Sequence, residues 1–158
     1  MINPVVLHLF VTLVWFFLSG TQTVANFLIA FFCTFALLVL FRKAIGCQEY
    51  VRRTVAFYRF IVRFGLDILA SNLRIAGVAI SRGAEKKQGR FIEYDVAGLT
   101  DLEILLISQC IGLSPGTMVA ERVGEGCLVI HIFATGTPDE VRAALDRTLK
   151  SGILSFTR

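Results

Sequence analysis

No Asp, Glu, Lys or Arg occurs in residues 1–41, and that stretch constrains the chain more than any other feature. Ordinary soluble domains carry charge on about a quarter of their residues, so a run this long without any cannot form a typical domain surface. Asn3-Pro4 can cap and start a helix that VVLHLFVTLVWFFLS continues to Ser19. Gly20-Thr21-Gln22-Thr23 supplies turn chemistry, and VANFLIAFFCTFALLVLF runs from Val24 to Phe41 before stopping at Arg42-Lys43. At about 1.5 Å per residue the two helices span roughly 24 and 27 Å, against a hydrocarbon core of about 30 Å. The expectation is a transmembrane helical hairpin over residues 1–43. A secretory signal fits worse, because residues 1–20 have no basic start and a second apolar run follows at once. Arg42, Lys43, Arg52 and Arg53 should stay on the cytoplasmic side, which puts both termini there and the 20–23 tip outside.

Charge divides the remainder. Residues 42–90 carry a net +8 and residues 91–158 a net −4, within an overall +4. A neutral, a basic and an acidic block in that order suggest lipid, lipid surface and water. Over residues 51–80, Arg52, Arg59, Arg63, Asp67 and Arg74 step by seven, four, four and seven, one polar stripe on an otherwise apolar helix. Such a helix suits the headgroup region, with Arg42, Lys43, Arg52, Arg53, Arg59, Arg63 and Arg74 as contacts to anionic lipid headgroups. Residues 44–90 are thus expected as a basic amphipathic helix ending in the polar linker SRGAEKKQGR, residues 81–90.

From Phe91 the pattern becomes that of a small α+β domain. FIEYDVA alternates as a strand, and Thr100 with Glu103 forms a capping box that starts DLEILLISQCI, with Gly112 suited to end it. TMVAERV and CLVIHIF are strands joined by Gly124-Glu125-Gly126. Thr137-Pro138-Asp139-Glu140 opens a last helix through Lys150, which Gly152 can stop. The order β-α-β-β-α over residues 91–158 predicts two helices on one face of a three-stranded sheet. The first helix is apolar nearly all round. If Leu102, Leu105 and Leu106 face the sheet, Ile104, Ile107 and Ile111 point elsewhere and become contacts to another protein.

Between that helix and the next strand, Ser114-Pro115-Gly116-Thr117 fits a type II turn, with Pro115 pre-setting φ and Gly116 taking the positive φ. Cys33, Cys47, Cys110 and Cys127 have no metal-like spacing and read as reduced structural residues. His8 and His131 are lone histidines. No nucleophile–base pair, metal set or phosphate loop is recognisable, so no catalytic, metal or cofactor residues are assigned. Nucleic acid is a poor partner for positive charge that flanks an apolar hairpin.

The hairpin near WFFLSG, the run ISQCIGLSPGTMVAE, the strand LVIHIFATGTPDEV and the helix after it resemble the E-type subunit of the Mrp (Mnh, Pha) multisubunit cation/proton antiporters. That family typically reads Leu-Thr-Pro-Gly-Thr at the corner, after Asn-Leu-Ile-Thr. Here Ser114 replaces the Thr and keeps its hydroxyl, while Gln109-Cys110-Ile111-Gly112 replaces the preceding string. The resemblance implies a non-enzymatic accessory subunit of a bacterial plasma-membrane complex exchanging Na⁺ or K⁺ for protons. Its partners would be the other subunits, which it would help to assemble. A stand-alone membrane-anchored ligand-binding or regulatory module is the alternative.

Overall fold

The computed structural model describes residues 3–80, 89–133 and 137–158, in two compact units, residues 1–55 and 56–158. In the first unit, α1 (Pro4–Leu18) packs along α2 (Val24–Leu40), followed by the single turn α3 (Arg42–Ile45) and the start of the long helix α4 (Gln48–Ile80). Asn3 caps α1 by accepting from the Val5 N–H at 3.0 Å, and Thr23 caps α2 by accepting from Asn26 N–H at 3.2 Å. The tip is closed by Asn26, whose amide donates to the Ser19 hydroxyl and to Thr21 O. Gly20 takes the positive φ, +71°, that the turn needs.

The expected transmembrane hairpin is overturned. Among the described residues no helix is long and apolar enough to cross a membrane. α1 has 15 residues and α2 has 17, because Ser19 and Phe41 are caps rather than helical residues. That leaves about 22 and 25 Å of helix, against a core of about 30 Å. α4 has the length, at 33 residues, but carries the basic stripe.

Inside the hairpin the chain buries polar atoms. His8 is 1 % exposed, with Nδ1 2.6 Å from the Tyr50 hydroxyl and Nε2 3.1 Å from Phe31 O. The Thr12 hydroxyl donates to His8 O at 2.8 Å. The Thr34 hydroxyl is buried without a hydrogen-bond partner. Outside, the hairpin is apolar and bare: Phe10, Phe17 and Leu18 are all largely exposed.

The second unit is built on an antiparallel sheet ordered β1 (Arg90–Asp95), β3 (Cys127–Ile132), β2 (Thr117–Val123). Alternation sets its faces. Ile92 and Tyr94 of β1 and Leu128, Ile130 and Ile132 of β3 are buried, while Phe91, Glu93 and Asp95 point away. The register of β2 shifts between Val119 and Glu121. Helix α5 (Asp101–Leu113), the helix α6 (Pro138–Leu145), a π turn (Asp146–Lys150) and α7 (Ser151–Thr157) supply the other side of the core, together with Phe60 and Phe64 of α4. The edge of β1 is covered: Arg142 donates to Glu93 O at 2.8 Å and Lys150 to Asp95 O at 3.3 Å.

Two helix ends differ from the sequence expectation. Gly112 does not stop α5, which runs to Leu113 and is capped by Ser114, where Pro115 forbids continuation. Gly152 does not stop the last helix either. The chain stays helical through the π turn to Thr157, and Gly152 sits inside α7 against Phe60. Glycine there serves packing rather than termination. The linker of residues 81–90 lies, except for Gly89 and Arg90, outside the described residues.

Candidate functional site

At the corner, the Ser114 N–H bonds to Cys110 O and Ile111 O, and its hydroxyl donates back to Cys110 O at 3.0 Å. Thr117 N–H returns to Ser114 O at 3.2 Å, closing a four-residue turn in which Gly116 has φ +83°. The Thr117 hydroxyl stands 2.7 Å from Ile111 O and 3.0 Å from Ser114 O. Phe133 N–H bonds to Gly116 O at 2.7 Å, tying the turn to the end of β3. Ser114, Pro115, Gly116 and Thr117 thereby satisfy the last carbonyls of α5 and fix where β2 begins.

The face of α5 that meets the sheet differs from the one expected, although Leu106 does pack against the core. Ile104, Ile107 and Ile111 lie in the core, with Ile107 and Ile111 wholly buried. They cannot contact another protein from there. The physical reason is the capping box. Glu103 is buried at the helix start by Thr100 and by Arg158, whose Nε and Nη2 reach the carboxylate at 3.0 and 2.9 Å. Burying position 103 turns 104, 107 and 111 inward with it. The outward stripe is Leu102, Leu105 and Leu113, at 60, 54 and 63 % exposure. The Arg158 fork and the Thr100 N–H hold the Glu103 carboxyl down to about 2.

The basic stripe divides into three groups. Arg42 and Lys43 are exposed on α3. Arg52 and Arg53 both grip Glu49, at 2.7 and 2.6 Å, and these bonds, Arg52's first, keep that carboxyl near 2. Arg59 and Arg63 line a groove of about 450 Å³ between α4 and the π turn with α7. The Arg74 side chain lies outside what the structure describes. Opposite Arg59 and Arg63 stand Arg147, Thr148, Ser151 and Ser155, none of which the sequence reading singled out. Their spacing of about four residues was visible, but their place across from α4, where Gly152 meets Phe60, is not written in that spacing.

The remaining candidates have structural surroundings. Burial pushes the Cys110 thiol up from its usual range, and the four cysteines are free. His131 is on the outer face of the sheet, its ring 5.0 Å from that of Phe91. Among the described residues no cluster of His, Cys, Asp or Glu is placed to hold a metal ion.

The chain matches the family described as Na⁺/H⁺ ion antiporter subunit over residues 8–155. It is similar to the E1 subunit of the Na⁺/H⁺ antiporter of Staphylococcus haemolyticus, 27 % identical over 115 residues that cover 73 % of this chain and 72 % of the relative. The E1 subunit of the Staphylococcus epidermidis antiporter is 26 % identical over 114 residues, covering 72 % of this chain and 71 % of that one. For the E1 subunit of Staphylococcus aureus the identity is 25 %, with the same two coverages, 72 and 71 %.

Proposed function

Because the chain belongs to the family of Na⁺/H⁺ ion antiporter subunits, we propose that it is the accessory E-type subunit of a multisubunit antiporter, which helps the complex to assemble and to exchange monovalent cations for protons. The partners are the other subunits, and the site of action is a membrane, which we take to be the bacterial plasma membrane. The observation that carries the reading is the match over residues 8–155, which covers most of both units.

Within that reading the outward stripe of α5 is the docking surface. Leu102 and Leu105 are one turn apart and exposed on a helix whose other face is locked into its own core. An exposed apolar stripe on a rigid helix is the kind of surface that binds a partner. The corner holds that stripe in place by anchoring the end of α5. The bare apolar exterior of the hairpin offers a second surface for other subunits. Arg42, Lys43 and the exposed arginines of α4 add attraction to anionic headgroups.

The test is co-purification from the native membrane in mild detergent through a C-terminal tag. Multi-spanning proteins at fixed stoichiometry are expected, and Leu102→Ser with Leu105→Ser should reduce their yield while leaving the melting of the isolated chain unchanged. A lone, folded chain would overturn the subunit reading. Full co-purification by the double variant would overturn the docking surface alone.

A further inference from the structure

We propose that the groove between α4 and the π turn with α7 binds a phosphate ester. α4 contributes Ala56, Arg59, Phe60, Arg63, Leu66 and Asp67, and the opposite wall contributes Arg147, Thr148, Ser151, Gly152 and Ser155. Arg59, Arg63 and Arg147 line one concavity with a single carboxylate, that of Asp67; the Arg147 Nε–H also donates to Ala143 O at 3.1 Å. Among the described residues neither Arg59 nor Arg63 has an ion pair or a hydrogen bond, unlike Arg52 and Arg53 four turns or less away on the same helix. Like charges that outnumber the one carboxylate of the groove favour an anion between them, and guanidinium forks match phosphate oxygens.

The opposite wall adds a second chemistry. The Thr148 hydroxyl donates to Ala144 O at 2.8 Å and the Ser151 hydroxyl to Arg147 O at 2.6 Å. With their protons spent on the helix, both oxygens face the groove as acceptors. They suit hydroxyl or ammonium donors on the group esterified to the phosphate, and Asp67 suits the same donors. Phe60, Gly152 and Leu66 add apolar lining, and the volume of about 450 Å³ is in the range of small-molecule sites. A π turn at this place is in keeping, since such turns recur at functional sites. The ligand class is thus a phosphate ester carrying a polyol or amine, free or as a lipid headgroup. The inference deepens the headgroup attraction above and rests on it only for the lipid as a source.

The full chain in a neutral maltoside detergent would be titrated calorimetrically with dihexanoyl phosphatidylglycerol, dihexanoyl phosphatidylcholine, glycerol phosphate and inorganic phosphate. Saturable binding of phosphatidylglycerol is expected, lowered about tenfold by Arg63→Gln and by Arg147→Gln, the cost of one charged hydrogen bond. Arg42→Gln with Lys43→Gln should change it less than twofold. Stronger binding of phosphatidylglycerol than of glycerol phosphate identifies a lipid headgroup; equal binding of the two identifies a free ester; both support the site. The Gln side chains replace exposed arginines, and an unchanged melting temperature checks that each variant is folded. No saturable binding of any phosphate overturns the proposal. So does equal loss in the Arg42/Lys43 variant, which would leave only diffuse attraction to anionic surfaces. Phosphatidylcholine binding as tightly, and indifferent to the arginines, would reduce the groove to an apolar contact and also overturn it. None of these outcomes bears on whether the chain co-purifies with other subunits.

Discussion

The ring of Phe60 lies directly on the backbone at Gly152: a Cβ there would stand 2.5 Å from Phe60 Cδ2 and 3.0 Å from Cε2. Phe60 has little room to retreat, being stacked on Phe64 and tilted against Phe156, each with ring centroids 5.6 Å apart. Gly152→Ala should therefore destabilise the chain. Overpacking costs about 1–3 kcal/mol and the gain in helix propensity returns at most about 1. Gly65→Ala, in α4 with nothing within 4 Å of its Cβ, should stabilise by up to about 1 kcal/mol instead. Chemical denaturation of the pair checks the contrast; the same sign for both would show that backbone entropy, not Phe60, decides.

Acid should release the end of the chain. The folded Glu103 carboxyl is held to about 2, below its ordinary 4.5, chiefly by the Arg158 guanidinium. A lowered folded pKa means that the stabilisation is complete above pH 4.5 and drains away as pH falls toward 2. Melting temperature followed across that window should fall more steeply for the native chain than for Glu103→Gln. Glu103 is 2 % exposed, so salt should blunt the difference only partly. Parallel curves would remove Glu103 from the acid response.

At the corner, Gly116 has φ +83°, and a Cβ would meet Ile75 Cδ1 at 3.0 Å and Phe133 O at 3.4 Å. Gly116→Ala combines backbone strain with that contact, and a loss of about 1–3 kcal/mol is expected. Pro115→Gly keeps the turn geometry accessible but frees the unfolded chain, for a loss of about 0.4–1 kcal/mol. In the complex, Pro115→Gly should lower yield more than it alters the apparent affinity for the cation. Normal yield with a changed Na⁺ affinity would contradict this. Melting curves and co-purification separate the two effects.

Within the hairpin, Thr34 buries a hydroxyl that has no hydrogen-bond partner. Thr34→Val keeps the shape and removes the unpaired group, so a gain of about 1–2 kcal/mol is expected. His8→Phe should act in the opposite direction, since it strips the Tyr50 hydroxyl and Phe31 O of the ring nitrogens they meet. Thermal melts in the same detergent would compare the two, and a destabilised Thr34→Val would show that the hydroxyl is in use.

Much of the second unit was legible because its signals are local. Thr100 with Glu103 and Thr137 with Glu140 are capping boxes in the structure as in the sequence, and Gly124 turns the hairpin with φ +61°. Pro115 and Gly116 likewise describe their own turn. The facing of α5 was not legible. With apolar residues all round, the periodicity of Leu102, Ile104, Leu105, Ile107 and Ile111 admits either face, and the choice fell to Glu103 and Arg158, far apart in sequence. The groove was half legible: Arg59 and Arg63 were on the stripe, but nothing near Arg147 in sequence says that it lies across from them.

The sequence by itself determined the three strands, the hairpin helices and the capping boxes of this protein, and its family, because caps, turns and alternation act over a few residues and survive in any context. Tertiary structure decided the rest. It set the inward face of α5 and the role of Gly152, which reads as a stop and acts as a contact. Each of those outcomes depends on whether another element occupies the adjacent space, and steric exclusion between distant residues leaves no periodic trace along the chain.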